Sequence, residues 1–219
     1  MSASFWSPIL VSVKIISVSS ILTFLLAVAA AWFMKGRRFK GKSAVETFLM
    51  LPLVLPPTVV GFALLVGLGR NSWIGQAVEW LFSKPLVFSY SAAVIAAIVV
   101  AFPLVYQMLR NGFESVDPEL EAAARQLGAG EWQVFIYVTL PLSWRYLLTG
   151  YMLGFARGLG EFGATLMFAG SIPGRTQTIS TAIFVAVESG NITYAYYWVA
   201  SIVLFSFVLL SLVHRVKRY

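Results

Sequence analysis

The chain reads as an all-α integral membrane protein, a bundle of about five transmembrane helices that carries one polar helical loop. Three observations predict this. Charged residues are only 11% of 219 while hydrophobic ones reach 59%, with a mean hydropathy of +0.82; an ordinary soluble domain is about one quarter charged. The apolar residues fall in long continuous runs, without the alternation that barrel strands need. Between two of those runs, Glu114 to Pro141 is polar and patterned as helix. A single membrane domain is expected over residues 1–219, with no cofactor and no metal. There is no cysteine, and the one histidine, His214, lies in the basic tail, which leaves no Cys-based metal site and no Cys–His pair.

The first apolar run is Ile9 to Met34, interrupted only by Lys14, which can snorkel to the interface. No basic region and small-residue cleavage site frame a short apolar core there, so the run is expected to stay as a span. KGRRFKGK, Lys35 to Lys42, is a basic loop. Thr47 to Leu68 is the second span, interrupted by Pro52 and by Pro56-Pro57. These prolines and Gly61 free backbone carbonyls and bend the helix, and broken helices at membrane depth are tolerated where they are buried or line a cavity. Thr58 then offers a hydroxyl to a solute; the competing reading is a packing kink. Gly69 to Pro85 is a mixed linker whose Trp73 and Trp80 suit the interface. Leu86 to Leu109, with Pro103 inside, is the third span, and Leu147 to Ala169 the fourth. Gly170 to Thr178 is a polar turn, and Ile179 to Val187 is apolar but too short to cross. Tyr194 to Val213 is the last span.

Basic residues orient the bundle. Lys35, Arg37, Arg38, Lys40, Lys42, Arg110, Arg125, Arg145, Arg215, Lys217 and Arg218 fall on one side, against Arg70, Lys84 and Arg175 on the other. The positive-inside rule places the polar loop and the C-terminus in the cytoplasm, and five spans leave the N-terminus outside. The net charge of +7 is accounted for by this asymmetry and calls for no nucleic acid.

Within the polar loop, Asp117-Pro118 can start a helix, since proline loses nothing in the first turn. Glu119, Leu120, Glu121, Ala122, Ala123, Ala124, Arg125, Gln126 and Leu127 are mostly strong helix formers, and Gly128 ends the run. A second helical stretch runs from Glu131 to Tyr137, and Leu140-Pro141 leads into the next span. A short helix–Gly–helix between spans suits docking of a soluble partner.

The fourth span contains FARGLGEFGAT, Phe155 to Thr165. Arg157 and Glu161 are four apart, so they share a helix face and can pair. Ionisable residues inside a membrane are costly and face a bundle interior or a hydrated path; the pair either lies along such a route or fixes helix packing. Gly158, Gly160 and Gly163 spell G-x-G-x-x-G, but no strand precedes them, so no dinucleotide site is read here. In SIPGRTQTISTAIF, Ser171 to Phe184, the residues Arg175, Thr176 and Thr178 supply donors that can hold a tetrahedral oxyanion or meet an outside protein; a solvated turn is the alternative. Asn191-Ile192-Thr193 matches a glycosylation sequon and carries no weight without a secretory context.

The loop resembles the coupling loop of permease subunits in ATP-binding-cassette importers, written E-A-A, three residues, Gly, nine residues, Ile, one residue, Leu-Pro. Counted from Gly128, the Ile position falls on Val138, the Leu-Pro on Leu140-Pro141, and the E-A-A on Ala122, Ala123 and Ala124, with Glu121 one place early. With LPLVLPPTVVGFALL, FARGLGEFGAT and IPGRTQTISTAIF, the chain is similar to the molybdate permease subfamily, including its early glutamate. The resemblance implies the fold of type I importers and a homodimer. It also implies two ATP-binding subunits docked on the coupling loops, at Glu119, Glu121, Ala122, Ala123, Ala124, Gly128, Leu140 and Pro141. A periplasmic or extracytoplasmic oxyanion-binding protein would deliver molybdate or tungstate. From the residues themselves, a path or gate is expected near Pro56, Pro57, Thr58, Arg157, Glu161 and Thr165, with helix packing as the alternative, and the chain is expected in the cytoplasmic membrane of a bacterium or archaeon. The chain itself is then no enzyme, and it contains no Walker-type phosphate loop. A sulfate permease of the same type is the nearest alternative; a stand-alone channel, a secondary transporter and an intramembrane hydrolase stand further off.

Overall fold

The computed structural model describes residues 3–37 and 39–218, the side chains at 3, 4, 209, 210 and 212–218 excepted. Arg38 lies outside the described residues, as do the side chains of His214, Arg215, Lys217 and Arg218. Among the described residues every regular element is helical: α1 Ala3–Met34, α2 Lys42–Val54, α3 Pro57–Leu68, α4 Trp73–Phe82, α5 Tyr90–Glu114, α6 Pro118–Gln126, α7 Glu131–Val134, a π turn Phe135–Thr139, α8 Leu140–Leu142, α9 Trp144–Leu159, α10 Gly163–Ala169, α11 Ile179–Glu188 and α12 Ile192–Arg218.

α5 is the axis of the bundle. α1 runs parallel to it: Val11 and Ile15 pack with Val87, Ala92 and Ala93 at one end, and Ala27, Ala31 and Met34 pack with Leu109 and Phe113 at the other. The contact is built from alanines, since small residues let helices approach where water supplies no driving force between them. α9 runs antiparallel: a Cβ on Gly150 would lie 3.3 Å from Met108, and one on Gly154 would collide with Val105. α10 continues that passage, with Ala164 and Phe168 in the same cluster as Ala92 and Ala97. α12 returns, from Trp198 against Phe5 to Phe205 against Phe155. The chain thus passes between the two ends of the bundle five times. Two helices, Phe5–Met34 and Tyr90–Glu114, are each long and apolar enough to cross a membrane, and α2 with α3 make a third such span if the bent pair is counted as one.

Two passages are broken, and both breaks follow from sequence. α2 and α3 meet at a bend of 118°. Leu55 is extended (φ −71°, ψ 143°), as a residue before proline tends to be, and Pro57 opens α3. Pro52 stays inside α2, so the Pro-Pro pair makes the break. The fourth passage, expected as one helix over 147–169, instead divides at Gly160–Phe162.

Other differences are local. The third span begins at Tyr90, not Leu86, because Phe88 is left-handed (φ 55°) and the Ser89 hydroxyl caps the Ala92 amide at 3.2 Å. It runs on through Glu114, which accepts a hydrogen bond from Arg110 at 2.8 Å and so belongs to α5 rather than to the loop. The helix expected from Glu131 to Tyr137 holds only to Val134. Pro141 has no amide to donate and its ring crowds the carbonyl four residues back, so the preceding turn widens to π form, with the Leu140 amide reaching the Phe135 carbonyl.

Candidate functional site

α6 is a nine-residue helix set at one end of the bundle by its own sequence. The Asp117 side chain accepts a hydrogen bond from the Glu119 amide at 2.9 Å, and Pro118 occupies the first turn. Gly128 ends it at φ +91°, a conformation that costs a residue with a Cβ about 1–2 kcal/mol. Across that turn Arg125 donates twice to Glu131, at 2.6 and 3.1 Å, tying α6 to α7. This bond holds the Glu131 carboxyl below the usual carboxylate range.

One face of α6 is held by a single buried acid. Glu121 is 8% exposed; it pairs with Lys35 just beyond α1, accepts a hydrogen bond from Thr139 at 2.6 Å, and has Arg125 at 3.7 Å. Its carboxylate therefore joins the end of α1, the loop helix and the π turn that leads into α9. Beside it, Trp132 packs on Trp32 (5.2 Å between ring centroids) and Phe135 on Trp32 (5.0 Å) and Phe113 (5.5 Å). The other face is bare. Glu119, Leu120, Ala122 and Ala123 are exposed, Ala124 is half-buried, and Leu127 is 90% exposed. Leu120, Ala123, Ala124 and Leu127 recur at helical spacing, so an otherwise polar helix presents an uncovered apolar ridge. Leu140 is half-buried in the core and Pro141 exposed. Sequence reasoning missed Lys35 and Thr139: the first looked like one more cation of the basic loop, and nothing in the spacing marks the second.

The second group of expected residues meets in mid-bundle. The start of α3 lies against the start of α10: a Cβ on Gly163 would lie 3.0 Å from Pro57 and 3.3 Å from the Thr58 amide, and one on Gly61 would lie 2.7 Å from Ala164. Pro56, Pro57 and Thr58 are exposed, and Thr165 is buried. Arg157 donates to Glu161 at 3.0 Å, as the spacing suggested, but not for the reason expected: Glu161 lies beyond the end of α9, in the break. Its second oxygen accepts the Ala164 amide at 2.8 Å, so the buried carboxylate also caps α10. Two helix N-termini and one guanidinium thus lie near the same break, with the Glu161 carboxylate already pairing with the guanidinium and capping α10.

In the turn after α10 the three expected residues part company. Arg175 is exposed. Thr176 is fully buried, accepting from the Ile172 amide at 3.0 Å and donating to the Gly170 carbonyl at 3.3 Å, so it shapes the turn. Thr178 caps α11 through the Thr181 amide at 3.3 Å. Neither threonine has a hydroxyl to spare for a ligand.

A family profile described as the inner membrane component of binding-protein-dependent transport systems matches residues 6–219. The chain belongs to that family. A Bacillus subtilis (strain 168) relative, YvgM, with a provisional name as a molybdenum transport system permease protein, is 50% identical to this permease over 218 residues, 100% of this chain and 96% of its own. The molybdenum transport system permease protein ModB of Escherichia coli (strain K12) is 43% identical over 184 residues, 84% of this chain and 80% of its own. The sulfate transport system permease protein CysW of a Synechocystis strain is 37% identical, over 86% and 67%. Among solved structures, a bacterial ABC transporter for import of the polysaccharide alginate superposes with a TM-score of 0.73 at 17% identity, over 100% of this chain and 80% of that one, a likeness of fold. The permease is thus a multi-pass translocation component of the inner membrane, helical in every regular element among the described residues.

Proposed function

We propose that this permease carries molybdate or tungstate inward across the cytoplasmic membrane of a bacterium or archaeon by alternating access, powered by ATP hydrolysis in partner subunits. The observation that carries the coupling half is α6: one face fixed through Glu121 to α1 and to the approach of α9, the other an open apolar ridge at Leu120 and Leu127. A short helix held on one side and bare on the other is a handle. Two copies of the chain, spanning residues 1–219 as one domain, would present two handles to two ATP-binding subunits, with α6 and the C-terminus in the cytoplasm and the N-terminus at the opposite end, outside. The five spans expected over 9–34, 47–68, 86–109, 147–169 and 194–213 would then be carried by α1, α2 with α3, α5, α9 with α10, and α12. The names of YvgM and ModB support the choice of anion, and an extracytoplasmic binding protein would deliver it.

The path reading rests on the paired breaks. A dianion cannot enter hydrocarbon bare. The starts of α3 and α10, with Thr58 and Arg157 beside them, offer it donors at mid-depth. Uptake of molybdate into vesicles that hold this permease, its neighbouring ATPase and its binding protein, with sulfate as competitor, tests the whole reading. ATP-dependent uptake that sulfate displaces only in large excess is expected; uptake by this chain alone without ATP would overturn it. The likeness to CysW favours sulfate as the second reading, and equal competition would select it.

A further inference from the structure

At the end of the bundle opposite α6, a cavity of about 560 Å³ opens between α1, the turn that leads into α5 and the turn at Gly174. Lys14, Lys84 and Arg175 line it, one cation from each segment, and no acidic residue does. Every ion pair among the described residues is made by other side chains. The start of α5, a 25-residue helix, lies on the same wall through Ser89 and Tyr90 and adds the partial positive charge of its terminus. The Tyr90 hydroxyl donates to the Lys14 carbonyl at 2.9 Å and holds the two walls together. The half-exposed Phe88 lines the cavity, and Trp80, Leu81 and Phe82 of α4, also exposed, precede Lys84 in the chain.

Three unpaired cations and a helix terminus around one concavity are mutually repulsive until an anion fills it. Convergence of donors from three segments suits an anion with oxygens in several directions better than a planar carboxylate. We propose that this cavity binds a tetrahedral oxyanion through Lys14, Lys84 and Arg175, either the phosphate of an anionic lipid headgroup or a free dianion. The volume exceeds what a bare tetraoxyanion occupies and leaves room for its water or for the rest of a headgroup. The free-anion source rests on the transport reading; the lipid source does not, and the exposed aromatic and aliphatic side chains before Lys84 give acyl chains a place to lie.

The transporter, assembled with its partner subunits in nanodiscs, tests this without ATP. In one arm, discs of phosphatidylcholine are titrated with molybdate and with inorganic phosphate. In the other, retention of phosphatidylglycerol from mixed discs is counted by native mass spectrometry. Saturable binding is expected in at least one arm, weakened about tenfold or more by Lys84→Gln with Arg175→Gln, since both substitutions remove a charged donor. Arg175→Lys should keep most of it. Arg70→Gln, which removes a cation at the same end that instead lies 3.5 Å from Glu79, should change nothing. Absence of saturable binding in both arms, or an equal loss in Arg70→Gln, overturns the site. Uptake measured separately tells the two ideas apart: normal ATP-driven molybdate uptake with a silent cavity sinks only this site.

Discussion

Removing the Glu121 carboxylate should free α6 from the bundle without unfolding the bundle. In Glu121→Ala, Thr139 loses an acceptor at 2.6 Å, worth ~1.5–3 kcal/mol because the acceptor is charged. Lys35 loses its partner, but its side chain is 19% exposed and can turn to water, so the full cost of about 3–5 kcal/mol for orphaning a buried charge does not apply. Together about 2–3 kcal/mol of local anchoring is lost, a factor of roughly 30–150 in the opening of α6. Hydrogen exchange reads this directly: the amides of residues 119–126 should exchange faster by that factor, while those of α5 stay protected. Coupling should fail in parallel, with ATPase activity no longer matched by uptake. The cycle with Lys35→Met separates pair from position, because two partners removed together leave no orphaned charge. Exchange in Glu121→Ala that matches the parent, or faster exchange with uptake per ATP unchanged, would refute the reasoning.

Gly128→Ala has open space for its Cβ, so its penalty is backbone strain alone: about 1–2 kcal/mol at φ +91°, read as a lower ratio of uptake to ATP hydrolysis with the membrane bundle's melting unchanged. Leu127→Asp should leave stability within about 0.5 kcal/mol, because the side chain is 90% exposed, yet weaken association with the ATPase in pull-down. The Glu131 carboxyl titrates below its unfolded value. The stability it adds is therefore present above the ordinary carboxylate range and lost as pH falls through the lowered value. As an exposed pair it is worth at most about 1 kcal/mol, so exchange in α6 should differ between the parent and Glu131→Gln at neutral pH and converge in acid. Arg157→Ala should slow uptake in a well-inserted protein; normal uptake would leave the pair with Glu161 a packing device.

Much of this architecture was legible because membrane helices announce themselves by composition, and because proline and glycine punctuate without tertiary help. The Pro56-Pro57 break, the Pro118 start and the Gly128 stop are local events, decided within a turn. What could not be read depended on distant partners. Glu121 looked displaced by one position from the E-A-A pattern, yet it is the acid that the fold buries, because Lys35 and Thr139 converge on it from 86 and 18 residues away. Arg157 and Glu161 were joined for a helical reason, and the structure joins them across a helix end instead.

The second difference changes what the pair can do. Two charges on an unbroken helix would hold each other whatever the bundle did. Here Glu161 is bound on one side to α9, through Arg157, and on the other to α10, through the Ala164 amide, while α10 itself leans on the start of α3. The same buried carboxylate that pairs with the half-buried Arg157 is therefore the fastening between two segments meeting at a break. A tilt of α9 has to be carried by that carboxylate or released by it. On the proposed coupling, α9 would receive the pull of α6, through Glu121, Thr139 and the π turn. The two buried glutamates would then lie in series along one mechanical line, from the proposed handle at Leu120 and Leu127 to the paired breaks. On that account Glu161→Gln, which keeps the shape and weakens both fastenings, should uncouple uptake from ATP hydrolysis as Glu121→Ala does. If it only lowered insertion or melting, with uptake per ATP preserved, the line would end at α9.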